Sequence, residues 1–152
     1  MLSLSATLQT AFDTDILEIL PRRKRSYLSW LIYSFIPGSE VDINSRITEL
    51  SEYQGIVLGF PKWTFSCPPL NRFISGLVGI RVPVIFLLMT CGGFDEERFI
   101  HSLTCRLRAI GCEVGGSLII KRKCIHKSSY MTLTESFAKR IEKHFASMSA
   151  AD

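Results

Sequence analysis

The sequence predicts an α/β fold, a three-layer α/β/α arrangement around a mostly parallel sheet. Three observations carry this. Val82 to Met89 is a near-continuous apolar run of strand length, the kind found in strands covered on both faces. Short β-like runs alternate with helical periods along the chain, which argues for crossover helices on a parallel sheet. Two consecutive strand candidates run into glycine-containing loops, and open α/β sheets bind ligands beyond the carboxyl ends of their strands.

The elements follow in order. Residues 1–12 are weakly helical, with Leu4, Leu8 and Phe12 at a four-residue spacing. Asp15 to Leu20 reads as a short strand stopped by Pro21, and Arg22-Arg-Lys-Arg25 follows. Tyr27 to Ile36 is expected to be helical, with Tyr27, Trp30, Leu31 and Phe35 on one side and Pro37-Gly38 as its stop. Ile47 to Leu50 suggests a helical turn, and Ile56 to Gly59 a buried strand. A loop from Phe60 to Cys67 leads to Pro68-Pro69, which pre-set the first turn of a helix carrying Leu70, Phe73, Ile74 and Leu77 at the helical period.

After the Val82–Met89 strand comes the loop Thr90-Cys-Gly-Gly93. Asp95-Glu96-Glu97 suits the positive end of a helix dipole. Phe99, Leu103, Leu107 and Ile110 are the stripe of that helix, and Gly111 is its stop. Val114 to Lys121 reads as a further strand. Thr134 to Met148 closes the chain as a helix with Phe137, Ala138, Ile141 and Phe145 on its apolar side.

Composition sets the outer bounds. The 152 residues suit one domain, 1–152, and 47% hydrophobic against 21% charged residues is enough for a core. The net charge of +4 is too small to argue for nucleic-acid binding, and no Walker loop or GxGxxG occurs. No apolar run approaches the roughly 20 residues of a spanning helix. Five cysteines without a CxxC pair fit free thiols in a reducing cytoplasm better than a metal site or a disulfide framework. His101, His126 and His144 are dispersed and suggest no metal site. A thiol enzyme using Cys67 or Cys91 is a minor alternative, since Cys67 precedes a helix start whose dipole could lower its pKa.

The two loops are the candidate site. Gly59 lets backbone approach a ligand, Pro61 stiffens the turn, and Trp63 and Phe65 place large aromatics on a loop, where a flat heteroaromatic ligand would give them a stacking partner. Gly92 and Gly93 leave backbone N–H groups free of Cβ obstruction. The plain alternatives are a loop anchor for Trp63 and an ordinary strand-to-helix turn at Gly92-Gly93.

The segment Tyr53-Gln-Gly-Ile-Val-Leu-Gly-Phe-Pro-Lys-Trp63, with Pro68, Pro69 and Phe73 after it, resembles the YDxIxLGxPxW…P…F segment of flavodoxin-like proteins. The next strand and Thr90-Cys-Gly-Gly93 resemble that family's second flavin loop, and the likeness extends over roughly residues 13–145. The resemblance implies a sheet of order 2-1-3-4-5 and FMN as the ligand. It implies that Phe60, Pro61, Lys62, Trp63, Thr64 and Phe65 flank one face of the isoalloxazine, with Trp63 stacking. Thr90, Cys91, Gly92, Gly93 and Phe94 would meet its polar edge through backbone. The implied activity is electron transfer, or quinone- or NAD(P)H-type reduction, with the chemistry carried by the flavin. The implied partner is a redox protein or a small-molecule acceptor. A cofactor-free binding module on the same fold is the alternative.

The chain departs from that pattern in two places. The family opens with an apolar strand and a hydroxyl-rich phosphate loop, S/T-x-T-G-x-T. Ser5-Ala-Thr-Leu-Gln-Thr10 copies the hydroxyl spacing, but Leu8 stands where the glycine belongs. Thr10 is also too near Ile16 for a crossover helix, which needs at least about 10–12 residues. The first strand and phosphate cradle are therefore expected to be missing, FMN to bind weakly or not at all, and a sheet short of its centre to invite dimerisation. The second departure is basic: Arg22-Arg-Lys-Arg25 beside the Tyr27–Ile36 helix, and Lys121-Arg-Lys123 at a strand end. Such runs can dock on anionic membrane or attract an acidic partner or a nucleotide phosphate. A solvated loop is the simpler expectation. Tyr27 and Trp30 are candidates to cover the site.

Overall fold

The computed structural model describes residues 14–44, 50–62, 64–126 and 130–149. In chain order the elements are α1 (Tyr27–Phe35), a 3-10 turn (Leu50–Glu52), β1 (Gly55–Pro61), α2 (Pro68–Ser75), β2 (Val84–Cys91), α3 (Glu96–Ala109), β3 (Val114–Lys121), α4 (Arg122–His126) and α5 (Tyr130–Ser149). The three strands are parallel in the order β1-β2-β3. Right-handed crossovers between strands laid down in sequence put both connecting helices on the same face. Accordingly α2 and α3 share one core with Leu58, Phe60, Ile85, Leu87 and Met89. The opposite face, Val84, Phe86, Leu88 and Ile120, is covered by Phe137, Ala138 and Ile141 of α5. β2 is therefore buried on both sides, as its unbroken apolar run requires, and the described residues form a three-layer α/β/α arrangement.

Local signals explain most boundaries. Ser26 caps α1, its hydroxyl accepting from Ser29 N–H. Gly38 and Gly111, past the ends of α1 and α3, take the positive φ values of 73° and 87° that favour glycine. Pro68 opens α2, where its missing N–H costs nothing. β2 begins only at Val84 because Pro83 cannot donate to the ladder.

Several expectations are corrected. Asp15 to Leu20 is not a strand. It pairs with neither edge strand of the described sheet, β1 or β3, and its end is held instead by an antiparallel bridge, Pro21 with Ile43, flanked by Arg22 N–H to Asp42 O and Asn44 N–H to Leu20 O. The 2-1-3-4-5 order needs two strands more than the described residues contain. The apolar residues of α1 do not share a buried side: Ser34 is its buried residue, whereas Tyr27 and Phe35 are exposed. α5 starts four residues before Thr134, and α4 was not foreseen. Residues 1–12, including Ser5–Thr10, and most of the Ile47–Leu50 turn lie outside the described residues.

Candidate functional site

Because the strands are parallel and in register, Pro61 of β1 sits beside Thr90 of β2, and Cys91 beside Lys121 of β3. The loops leaving β1 and β2 therefore open on the same edge. Between them lies a cavity of about 310 Å³ lined by Phe35, Lys62, Thr64, Phe65, Gly92 and Phe94. Its three phenylalanines are all more than half exposed. Phe35 and Phe65 face one another with ring centroids 6.1 Å apart.

Each wall has a cause. The β1 loop is tied to the end of α1: Phe65 N–H donates to Ser34 O at 3.1 Å, and Thr64 Oγ1 donates to the same oxygen at 2.6 Å. This bond turns Phe65 toward Phe35. Farther along, buried Asn71 donates from Nδ2 to Ser39 O and to Ser66 Oγ, each at 2.8 Å, while its Oδ1 accepts from Arg106 of α3. One side chain thus fastens loop, α2 and α3 together, with its amide hydrogens and its oxygen all used. On the β2 side, Gly93 has φ 103° and Asp95 φ 50°, a turn that few side chains tolerate. A Cβ at Gly92 or Gly93 would meet no atom within 4 Å, so that backbone is open to approach.

Lys62 is the charged group of the site and is only 8% exposed. Its backbone N–H donates to Thr90 O at 2.7 Å, which extends the β1–β2 ladder by one residue. Its ammonium donates to Phe94 O and lies 5.6 Å and 5.8 Å from the ring centroids of Phe94 and Phe99. The cation therefore clasps the two loops together from inside the cavity.

An ion pair braces the β2 loop from outside. Lys121 at the end of β3 bonds Glu96 in the first turn of α3. The hydrogen bond from Lys121 is the main reason the Glu96 carboxyl lies below its ordinary value of 4.5. Lys121 is raised above 10.5, chiefly by the same bond. A carboxyl held low in the folded state stabilises the fold above its unfolded pKa, and that contribution is lost as pH falls through the lower folded value. Glu96→Gln should therefore lower the melting temperature at pH 7, and the gap to the parent should close as both are acidified below about pH 4. A gap that persisted unchanged at pH 3 would mean the pair does not brace the turn.

The structure sorts the sequence-derived residues. Lys62, Thr64, Phe65, Gly92 and Phe94 come together at the cavity. Phe60 turns inward to the core, 6.2 Å from Phe99. With Pro61 it lines a separate cavity of about 300 Å³ that also includes Gly59, Trp30 and Cys67. Thr90 and Cys91 end β2, and Cys91 is buried with Sγ 4.0 Å from Ile120 O. Trp63 lies outside the described residues. The helix over this edge contributes Phe35 rather than Tyr27 or Trp30. The 3.6-residue period could have flagged this, since it separates Phe35 from Trp30 and Ser34. The minor alternative of a thiol activated by the helix start does not suit Cys67: burial pushes that thiol up to about 11, outweighing a hydrogen bond from the Leu70 backbone.

No family model matches the chain. It is 34% identical over 97 residues to an uncharacterized protein of Archaeoglobus fulgidus, which is 64% of this chain and 62% of that one. The chain thus spans less than two thirds of that relative's length. Among solved structures it is similar to a proposed flavoprotein from Bacteroides uniformis, with a TM-score of 0.64 and 18% identity over 80% of this chain and 82% of the other. It is also similar to a proposed flavoprotein from Bacteroides eggerthii, with a TM-score of 0.62 and 19% identity over 83% and 86%. At these identities the likeness shows the fold: the chain has the parallel-sheet α/β architecture of those two proteins.

Proposed function

We propose that the cavity between the β1 and β2 loops holds the isoalloxazine ring of a flavin, FMN in particular, and that the protein is a flavodoxin-like redox protein. The carrying observation is three exposed phenyl rings and a buried lysine gathered at the carboxyl edge of a parallel sheet. Three exposed aromatics around one opening are costly to leave in water and suit a flat ring. The two solved neighbours being proposed flavoproteins supports the same reading. A bound flavin would supply one- and two-electron transfer, to a partner protein or to a quinone- or nicotinamide-type reactant.

The residues present fit the ring. The volume of about 310 Å³ is at the low end for small-molecule sites, about 300–1,000 Å³, and suits a planar ring better than a whole nucleotide. Phe35, Phe65 and Phe94 exclude water from the ring faces. Gly92 backbone can come to its edge without a Cβ in the way. Lys62 places positive charge where electron uptake adds negative charge, and so favours the reduced state. Among the described residues the lining carries one hydroxyl, on Thr64, and no hydroxyl-rich cradle for a phosphate, which favours weak FMN binding.

Fluorescence titration with FMN and with riboflavin tests this. Both should bind, FMN no more than about threefold tighter, because the ring rather than a phosphate provides the contacts. Lys62→Met should leave oxidised-flavin affinity within about threefold and weaken reduced-flavin affinity about tenfold, a midpoint drop of ~30 mV for two electrons. Lys62→Arg should keep the parent potential. Failure of both flavins to bind at millimolar concentration would overturn the reading and favour a cofactor-free interaction module.

A further inference from the structure

α1 docks on the body of the protein through Ser34 and the half-buried Trp30 and Leu31. Its other side is unusual. Tyr27 is 81% exposed, Leu28 65% and Ile32 56%, and Phe35 continues the same row. Leu28, Ile32 and Phe35 are spaced i, i+4, i+7, one stripe of a helix, and it points away from the core. The helix itself carries no charge. Directly before it Arg22, Arg23, Lys24 and Arg25 are all exposed. Arg25 folds back onto α1, its guanidinium 4.5 Å from the centroid of Tyr33. The basic run is thus held at the start of the apolar stripe.

We infer that residues 22–36 are an interfacial anchor that lays α1 on an anionic phospholipid surface. An apolar helix stripe enters the acyl boundary while adjacent cations stay with the headgroups, and the two together suffice for reversible binding. The contact is peripheral: among the described residues no helix is long and apolar enough to cross a membrane. Charge decides between the candidate occupants of this face. Pairing with a second copy is self-complementary and would bring two runs of four cations to one interface, opposed by no carboxylate on α1. An anionic lipid surface meets the same run with opposite sign. Because Phe35 belongs both to the stripe and to the cavity rim, docking sets the cavity mouth at the lipid boundary. The docking does not depend on what the cavity binds.

The test is partition of the full chain onto vesicles of phosphatidylcholine with or without phosphatidylglycerol, measured by co-sedimentation. Binding is expected on the anionic vesicles at low salt, with little on phosphatidylcholine alone, and it should weaken as salt is raised. Arg22→Gln/Arg23→Gln/Lys24→Gln should weaken it about a hundredfold, near fivefold per cation. Leu28→Ser/Ile32→Ser should abolish it. Both side chains face solvent, so this variant should keep the parent's circular dichroism and flavin titration. Three results overturn the proposal: no binding to anionic vesicles at low salt, binding unchanged by Leu28→Ser/Ile32→Ser, or a dimer in sedimentation that this same variant dissolves.

Discussion

Phe86→Ala is expected to destabilise the domain by about 3–5 kcal/mol, the usual range for emptying a buried phenylalanine site. Phe86 is central to the sheet face under α5. Its ring lies edge-on to Phe137 at 6.3 Å, to His144 at 5.3 Å and to Phe145 at 5.9 Å. Three residues over two turns of α5 therefore lose their shared partner, and a helix cannot slide to refill the space without unseating Ile141. Small domains are stable by only about 5–15 kcal/mol, so the loss is a large fraction of the total. The melting temperature should fall by ~10 °C or more. Urea unfolding followed by circular dichroism measures it. A midpoint within experimental error of the parent would mean that α5 is not seated on Phe86.

The second large effect is Gly115→Ala. A Cβ there would stand 2.7 Å from two ring carbons of Phe86 and 3.0 Å from Val84 Cγ2. Neither neighbour has room to withdraw, since both are buried on β2. The site also lies at the irregularity where Ile85 pairs with Val114 but Phe86 pairs with Gly116. Gly115 is the extra residue of that bulge, and Phe86 presses on it. Overpacking of this kind costs roughly 1–3 kcal/mol. The diagnostic is the double variant. Phe86→Leu removes the ring the methyl strikes, so Gly115→Ala/Phe86→Leu should lose less than the sum of the single variants, by about 1 kcal/mol or more. Strict additivity would place the cost elsewhere than in that contact.

Much of the scaffold was legible because it depends on local chemistry. Proline at the start of α2, acidic residues at the start of α3, glycine past its end and the apolar run of β2 each act within a few residues. Their boundaries agree with the structure to within a few positions. The strand proposed at Asp15–Leu20 went the other way for an equally physical reason. A strand needs a neighbour's backbone, and the Ile-Leu pairs on either side of Glu18 do not say whether one exists. The two loops were legible as a pair, since parallel strands must open on one edge, and five of the eleven residues named for them line one cavity.

What the sequence by itself determined is β1, β2 and β3 with the two crossover helices between them, and hence that the β1 and β2 loops share an edge. Only the tertiary structure decided which side chains meet there. Helix period and strand alternation show which residues share a face, but not which face finds a partner. That choice brought Phe35 to the cavity rim, buried the Lys62 ammonium against Phe94 O, turned Phe60 inward and left the apolar stripe of α1 facing outward.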